Sequence, residues 1–318
     1  MADRFELTFY GTRGTRTVHG EQYRAHGGHT TCLGFRAGDR QIILDSGSGI
    51  VNLGNRLVQE HFASNATEPL TTYIFHTHTH YDHICGLPYY VPFFLANATT
   101  YVYGPRSAQG TFEEAIKRFI HPPFHPVALH EMAGEKLWFE VGEPDVVYFL
   151  KGQEQPIILR TQHARQKALT PPEDQVEVVI RCLRGYNHPK NGVTVYRIEC
   201  AGRTVVLATD VEGYVHGDQR LIQFAQGAEV LIHDAMYTQD RYATGPVPTQ
   251  GWGHSTIQIA TDVAEQANVK RLYLFHHDPS HDDDKLADME RLAQSRFPAS
   301  LMARDNATID LIAEFPSS

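Results

Sequence analysis

The segment Phe75-His76-Thr77-His78-Thr79-His80-Tyr81-Asp82-His83 constrains this chain more than any other, because the apolar strand pattern Thr72-Tyr73-Ile74-Phe75 runs directly into it. In an extended backbone residues two apart face the same way, so His78 and His80 can converge on one metal ion. A turn after Tyr81 then carries Asp82 and His83 to a second ion nearby. The alternation also admits a register that starts at His76. Only the later register supplies the Asp-His pair, which leaves His76 as a strand-end residue. A plain polar loop is the competing explanation, and it does not account for His78, His80, Asp82 and His83 lying so close together at the end of a strand.

Around this segment, short apolar runs ending in polar clusters recur at residues 41–45, 193–198, 204–208, 230–233 and 271–275, and each reads as a buried or half-buried strand. Helix patterns lie between them at 107–119, 255–267 and 283–296, with Ser255 as the cap of the second. Strands feeding short loops, with helices interspersed in both halves, predict a layered α/β domain. No Gly/Ser-rich linker or repeat divides the chain, so residues 1–318 read as one domain, and the proline-bearing stretch at about 120–167 as a loop-and-hairpin insertion.

Composition narrows the function. With 37 acidic against 28 basic residues the formal charge is -9, which argues against a generally basic nucleic-acid-binding surface. No apolar run approaches the roughly 20 residues of a membrane-spanning helix. The N-terminus enters an alternating strand pattern without a secretory apolar stretch, so a cytoplasmic location is expected. Cys32, Cys85, Cys182 and Cys200 include no C-x-x-C pair that would indicate a thiolate site.

The order His78-x-His80-x-Asp82-His83 resembles the HxHxDH signature of the metallo-β-lactamase fold superfamily. That resemblance implies a four-layer αββα fold, two mixed sheets sandwiched between helices. It also implies the remaining site. Asp45, ahead of the Ser46-Gly47-Ser48-Gly49 turn, corresponds to a carboxylate that orients a ligand histidine from behind. His188 and Asp210 correspond to the third histidine and the bridging carboxylate. His276 corresponds to the last histidine, with His277 the neighbouring alternative. One ion would then take His78, His80, His188 and Asp210, and the other Asp82, His83, Asp210 and His276. Imidazole and carboxylate without thiolate suit two divalent ions, zinc foremost, with manganese or iron as alternatives. Such a pair lowers the pKa of a bridging water and clamps attacking and leaving oxygens, so a metal-dependent hydrolase is expected. His281 with Asp282-Asp283-Asp284 reads as the acidic start of a helix rather than a further cation site.

Two more motifs point to a branch. Gly251-Trp252-Gly253-His254-Ser255-Thr256 before a helix, and Leu231-Ile232-His233-Asp234-Ala235 at a strand end, resemble the tRNase Z-like phosphodiesterases. Tyr10-Gly11-Thr12-Arg13-Gly14-Thr15-Arg16 and Gly27-Gly28-His29-Thr30-Thr31-Cys32 resemble bacterial cyclic-nucleotide phosphodiesterases of that branch. The resemblance implies a catalytic set of Asp82, His254 and Asp234, in which His254, oriented by Asp234, protonates the leaving alkoxide. The chain departs from the branch at Asp234, where Glu is commoner, and at His29, where Asn is expected.

The expected substrate is a small phosphodiester, a cyclic nucleotide foremost. A thioesterase or lactonase of the same fold, and an RNA 3′-processing nuclease, are the alternatives; a binding module with a structural metal fits less well, because the ligand set leaves positions for water and substrate. No Lys/Arg-rich protruding arm is present to grip tRNA, so long nucleic acid is not an expected partner. Arg13, Arg16 and Lys190 are candidate phosphate contacts. The aromatics of 88–94 and 122–126 are candidate stacking surfaces or core. A homodimer is implied by the resemblance alone.

Overall fold

The computed structural model describes residues 4–107, 110–160, 170–214 and 217–316. The first three residues, two positions of the 107–119 helix pattern and residues 161–167 of the expected insertion lie outside the described residues.

The strands β1 (Phe5–Gly11), β2 (Cys32–Ala37), β3 (Arg40–Leu44), β4 (Leu70–Phe75), β5 (Ala98–Pro105) and β6 (Glu135–Val141) form most of one sheet. The strands β7 (Val146–Leu150), β8 (Ile157–Leu159), β9 (Val176–Gly185), β10 (Val193–Cys200), β11 (Arg203–Ala208), β12 (Val230–Asp234), β13 (Arg271–Phe275) and β14 (Ser300–Met302) form the other. β15 (Thr308–Asp310) returns to the first, giving the orders β15-β1-β2-β3-β4-β5-β6 and β14-β13-β12-β11-β10-β9-β7-β8. Both sheets are mixed: β3 to β6 and β11 to β14 run parallel, and the remaining pairs are antiparallel.

The α-helices among the described residues are α1 (Ile50–Ala63), α2 (Tyr81–Ile84), α3 (Phe112–Phe119), α4 (Gln219–Ala225), α5 (Ile257–Gln266), α6 (Asp283–Arg296) and the short α7 (Leu311–Glu314). Side-chain alternation distributes the apolar residues over three cores. Tyr73 and Phe75 of β4, Val205 and Leu207 of β11, and Tyr273 and Phe275 of β13 meet between the sheets. Ile74 turns outward to join Leu53 of α1 and Ile116 of α3. Leu272 and Leu274 turn outward to join Ala260 of α5 and Leu286 of α6. Three apolar interfaces require four layers, and the architecture is αββα. The inter-sheet core is rich in aromatics, with Phe75 stacked on Tyr103 at a centroid distance of 4.2 Å; each fully buried ring of this size contributes about 1.5–3 kcal/mol.

Several details depart from the sequence reading. The 120–167 stretch supplies β6 to the edge of one sheet and β7 and β8 to the edge of the other, so its strands belong to both layers. The cap of α5 is Thr256, whose hydroxyl accepts from Ile259 N, while Ser255 Oγ donates to Val211 O. α3 starts only at Phe112, where Thr111 and Glu114 close a capping box. α1 carries no side-chain cap signal, since Gly49 precedes it; it is held by Ile50, Leu53 and Leu57 on its buried face. Among the described residues no helix is long and apolar enough to cross a membrane.

The parallel strands β3, β4, β11, β12 and β13 all end at the same edge of the sandwich, and the chemistry-bearing loops leave from those ends.

Candidate metal centre

Asp45 follows β3, Asp210 follows β11 and His276 follows β13, with φ of 58°, 55° and 61°. Left-handed backbone at non-glycine residues costs about 1–3 kcal/mol each, and such strain collects at functional sites. Here it ends each strand abruptly and turns Asp210 and His276 into one basin, with Asp45 behind it against Thr77 and His83.

His78 and His188 present lone pairs there. His78 Nδ1–H donates to Thr77 Oγ1 at 3.0 Å, because that hydroxyl gives its own proton to Asp45 Oδ2 at 2.8 Å. His78 Nε2 is therefore unprotonated; it is buried without a hydrogen-bond partner, 3.7 Å from Asp210 Oδ2. His188 Nδ1–H donates to Gly253 O at 3.0 Å, which leaves its Nε2 2.9 Å from His80 Nδ1 and 3.6 Å from Asp210 Oδ2. Burial lowers the pKa of both His78 and His188, which favours the neutral imidazole a metal requires.

A second convergence lies across Asp210. His83 Nδ1–H donates to Asp45 Oδ2 at 2.8 Å, and His83 Nε2 lies 3.3 Å from His276 Nε2 and 3.1 Å from Asp210 Oδ1. Asp82 Oδ2 is 3.1 Å from His276 Nε2 and also accepts Thr15 N–H at 2.7 Å. The two oxygens of Asp210 thus face different donor sets. Within the sets His78, His80, His188, Asp210 and Asp82, His83, His276, the ligand atoms lie within 4.8 Å of one another. Opposed imidazole nitrogens, an orphaned buried Nε2 and a carboxylate shared between two sets fit a pair of divalent cations. Burial disfavours the charged forms of Asp82 and Asp210, yet the surrounding imidazoles outweigh it and hold both carboxylates well below their ordinary range.

Asp234 and His254 border the basin. His254 Nδ1–H donates to Asp234 Oδ2 at 2.7 Å, and the His254 ring stacks on His276 with centroids 4.9 Å apart. Asp234 also accepts the N–H groups of Asp210, Met236 and Ser255, so its oxygens are occupied by protein donors rather than free for a cation. Burial works against a charge on His254, but Asp234, Asp210 and Asp82 overcome it and raise its pKa to about 9.

Other sequence candidates lie elsewhere. His277 turns away and donates from Nε2 to Ala303 O at 2.8 Å, so His276 is the member of the pair in the basin. His76 is buried against Ser46 Oγ at 2.7 Å. His29 contacts Ser48 and Asn52. Arg13 is fully buried rather than substrate-facing, its guanidinium held by the carbonyls of Gly27, Asp278 and His281. Arg16 and Lys190 are exposed. Asp282 caps α6 through Lys285 N–H. Of the aromatics, Tyr90 and Phe93 are core, whereas Tyr89, Phe94 and Phe124 are exposed.

Sequence reading missed the supports. Glu212 accepts Gly251 N–H and Tyr242 O–H at Oε1, at 2.8 and 2.7 Å, and Gly253 N–H at Oε2, at 2.9 Å. This fixes the loop that carries both His254 and the carbonyl on His188. Gly253 has φ 89°, and a Cβ there would come within 2.3 Å of His188 Nδ1. The Gly in the Gly-His-Ser-Thr motif was the available signal; the role of Glu212, two residues beyond Asp210, had none.

Comparison with known proteins extends this picture. Residues 40–277 match the profile of the family described as Beta-lactamase superfamily domain. Ribonuclease Z of Thermoplasma acidophilum is 27% identical over 294 residues, covering 88% of this chain and 88% of its own. Among solved structures, the short form of human tRNase Z aligns with a TM-score of 0.56 at 20% identity, over 96% of this chain and 99% of that one. Unliganded yeast PDE1 aligns with a TM-score of 0.61 at 15% identity, over 97% and 100%.

Proposed function

The chain belongs to the β-lactamase superfamily, and we propose that this metal-dependent hydrolase cleaves a small phosphodiester, a cyclic nucleotide foremost, with water as nucleophile. His78, His80, His188 and Asp210 would hold one divalent ion, and Asp82, His83, Asp210 and His276 the other, zinc suiting this donor set best. Ions so held supply Lewis acidity and an acidified water.

The observation that carries the reading is the Asp234–His254 pair beside the basin. Asp234 keeps a proton on His254 Nδ1, so any proton delivered to substrate leaves from Nε2, which has no hydrogen bond among the described residues. Alkoxides are poor leaving groups and gain from such a donor. A thiolate, with a thiol pKa of about 8.5, leaves without one, which places the thioesterase alternative second to phosphodiester cleavage. Asp45, through Thr77 and His83, keeps two imidazoles in the tautomer that presents Nε2.

A second reading, RNA 3′-processing, is favoured by the Ribonuclease Z relative. Against it stand the charge of -9 and the lack of a Lys/Arg-rich arm in the sequence. A homodimer in the cytoplasm belongs to the same proposal. The assay that separates the readings offers metal-loaded protein 2′,3′- and 3′,5′-cyclic nucleotides, a 3′-extended tRNA precursor, a thioester and a lactone. Hydrolysis of a cyclic nucleotide with the precursor intact supports the first reading. Cleavage of the precursor alone supports the second, and turnover of only the thioester or lactone overturns both.

A further inference from the structure

A cavity of about 140 Å³ opens beside His78 and Thr79, between the segment leaving β5, one face of α3, and the end of β9 with the turn into β10. Arg106, Arg118 and Arg184 line it, each from a different one of these elements. Arg106 pairs with Asp145. The Arg184 side chain lies along Gly192, where a Cβ would approach its Nε to 3.2 Å, so the turn that presents His188 also makes room for this guanidinium. Among the described residues, no carboxylate lies within 4.0 Å of the guanidinium nitrogens of Arg118 or Arg184. The acidic residue on the wall, Glu114, commits Oε2 to Thr111 N–H at 3.1 Å in the α3 capping box.

Guanidinium groups gathered on one small cavity repel each other unless an anion joins them, and their planar forks match phosphate oxygens in pairs. The wall they share includes His78, whose Nε2 faces the metal basin. An anion in the cavity is therefore a neighbour of whatever group occupies that basin. Cyclic monophosphates carry one phosphate, so the cavity points to a substrate with more than one.

We infer that the cavity receives a second phosphate of the substrate, next to the scissile phosphodiester, with Arg118 and Arg184 as its main contacts and Arg106 beside them. This rests on the phosphodiesterase reading and refines its substrate class. The phosphate is either a terminal phosphomonoester of a small nucleotide or the next backbone phosphate of an oligonucleotide.

The test compares two esters that differ by one phosphate, thymidine 5′-(p-nitrophenyl phosphate) with and without a 3′-phosphate, on metal-loaded wild type, Arg118→Ala and Arg184→Ala. Wild type is expected to favour the phosphorylated ester by about tenfold or more in kcat/KM, equivalent to about 1.4 kcal/mol, and each variant to bring the ratio towards one. A wild-type ratio of one, or a ratio that survives both replacements, overturns the inference while hydrolysis itself upholds the reaction. If neither ester nor bis(p-nitrophenyl) phosphate is hydrolysed, the reaction reading fails, and equilibrium titration still tests the cavity. Thymidine 3′,5′-bisphosphate should then bind wild type about tenfold tighter than thymidine 5′-phosphate, with the difference lost in Arg184→Ala; equal affinities overturn it. An Arg184-dependent advantage of trithymidylate over dithymidylate, both without terminal phosphates, assigns the contact to a backbone phosphate. Its absence, with the 3′-phosphate advantage kept, assigns it to a terminal one.

Discussion

Asp234 Oδ2 accepts His254 Nδ1–H at 2.7 Å and the Asp210 backbone N–H at 3.1 Å, so a single carboxylate oxygen ties the proposed proton donor to the proposed bridging ligand. Donor and ligand set are thereby held as one unit, and each can be disturbed separately.

Replacing His254 with Ala removes the donor and leaves every proposed ligand in place. The expected loss in kcat is about 10²- to 10⁴-fold on a cyclic nucleotide and smaller on bis(p-nitrophenyl) phosphate, whose phenolate leaves unaided. Metal content by elemental analysis should match wild type. Equal losses on both substrates would remove His254 from the role of acid.

His254 should hold its proton well above neutrality in metal-free protein, with a pKa of about 9 against an ordinary imidazole value of about 6.5. The folded state then binds a proton that the unfolded chain has released. The stabilisation is complete below pH of about 6.5 and is lost as pH rises through about 9. Cations at Asp210 and Asp82 offset two of the charges that raise this pKa, so loading metal should lower it. Imidazole ¹⁵N shifts followed across pH, with and without metal, check both statements; a metal-free value at or below 6.5 would sink them.

Asp45→Asn keeps the shape but loses the charge that accepts His83 Nδ1–H, Thr77 N–H and Thr77 O–H. Groups that orient metal-bound histidines from behind are typically worth 10- to 100-fold in metal affinity, roughly the loss expected here. Competition with a chelating dye measures it. Unchanged affinity for both equivalents would show that Asp45 supports the fold alone.

The clustering of His78, His80, Asp82 and His83 is legible in the sequence because these side chains sit within a few residues and strand periodicity sets their direction. Asp210 and His276 were legible from motif order, although neither their left-handed backbone nor the split of Asp210 between two donor sets can be read from residue type. Arg13 reads as a candidate phosphate contact because the partners that bury it are carbonyls, which carry no sequence signal. Arg106, Arg118 and Arg184 belong to different elements and meet only when the two sheets stack. Ser255 and Thr256 are equivalent as caps on paper; the Val211 carbonyl decides between them.

Glu212→Gln puts an amide N–H₂ where the loop N–H groups now find a carboxylate. An unsatisfied buried donor costs about 1–3 kcal/mol, so thermal unfolding should occur earlier. Because the same loop places His254 and the carbonyl on His188, kcat should fall by more than KM rises. A change in stability with kcat intact would confine Glu212 to the fold.

The central claim, phosphodiester hydrolysis at a site where two divalent ions would share Asp210, is tested most directly by titrating metal-free protein with zinc while following bis(p-nitrophenyl) phosphate hydrolysis. The account predicts no turnover without metal and a maximum at two equivalents per chain. Full activity at one equivalent, or none at any loading, would contradict it.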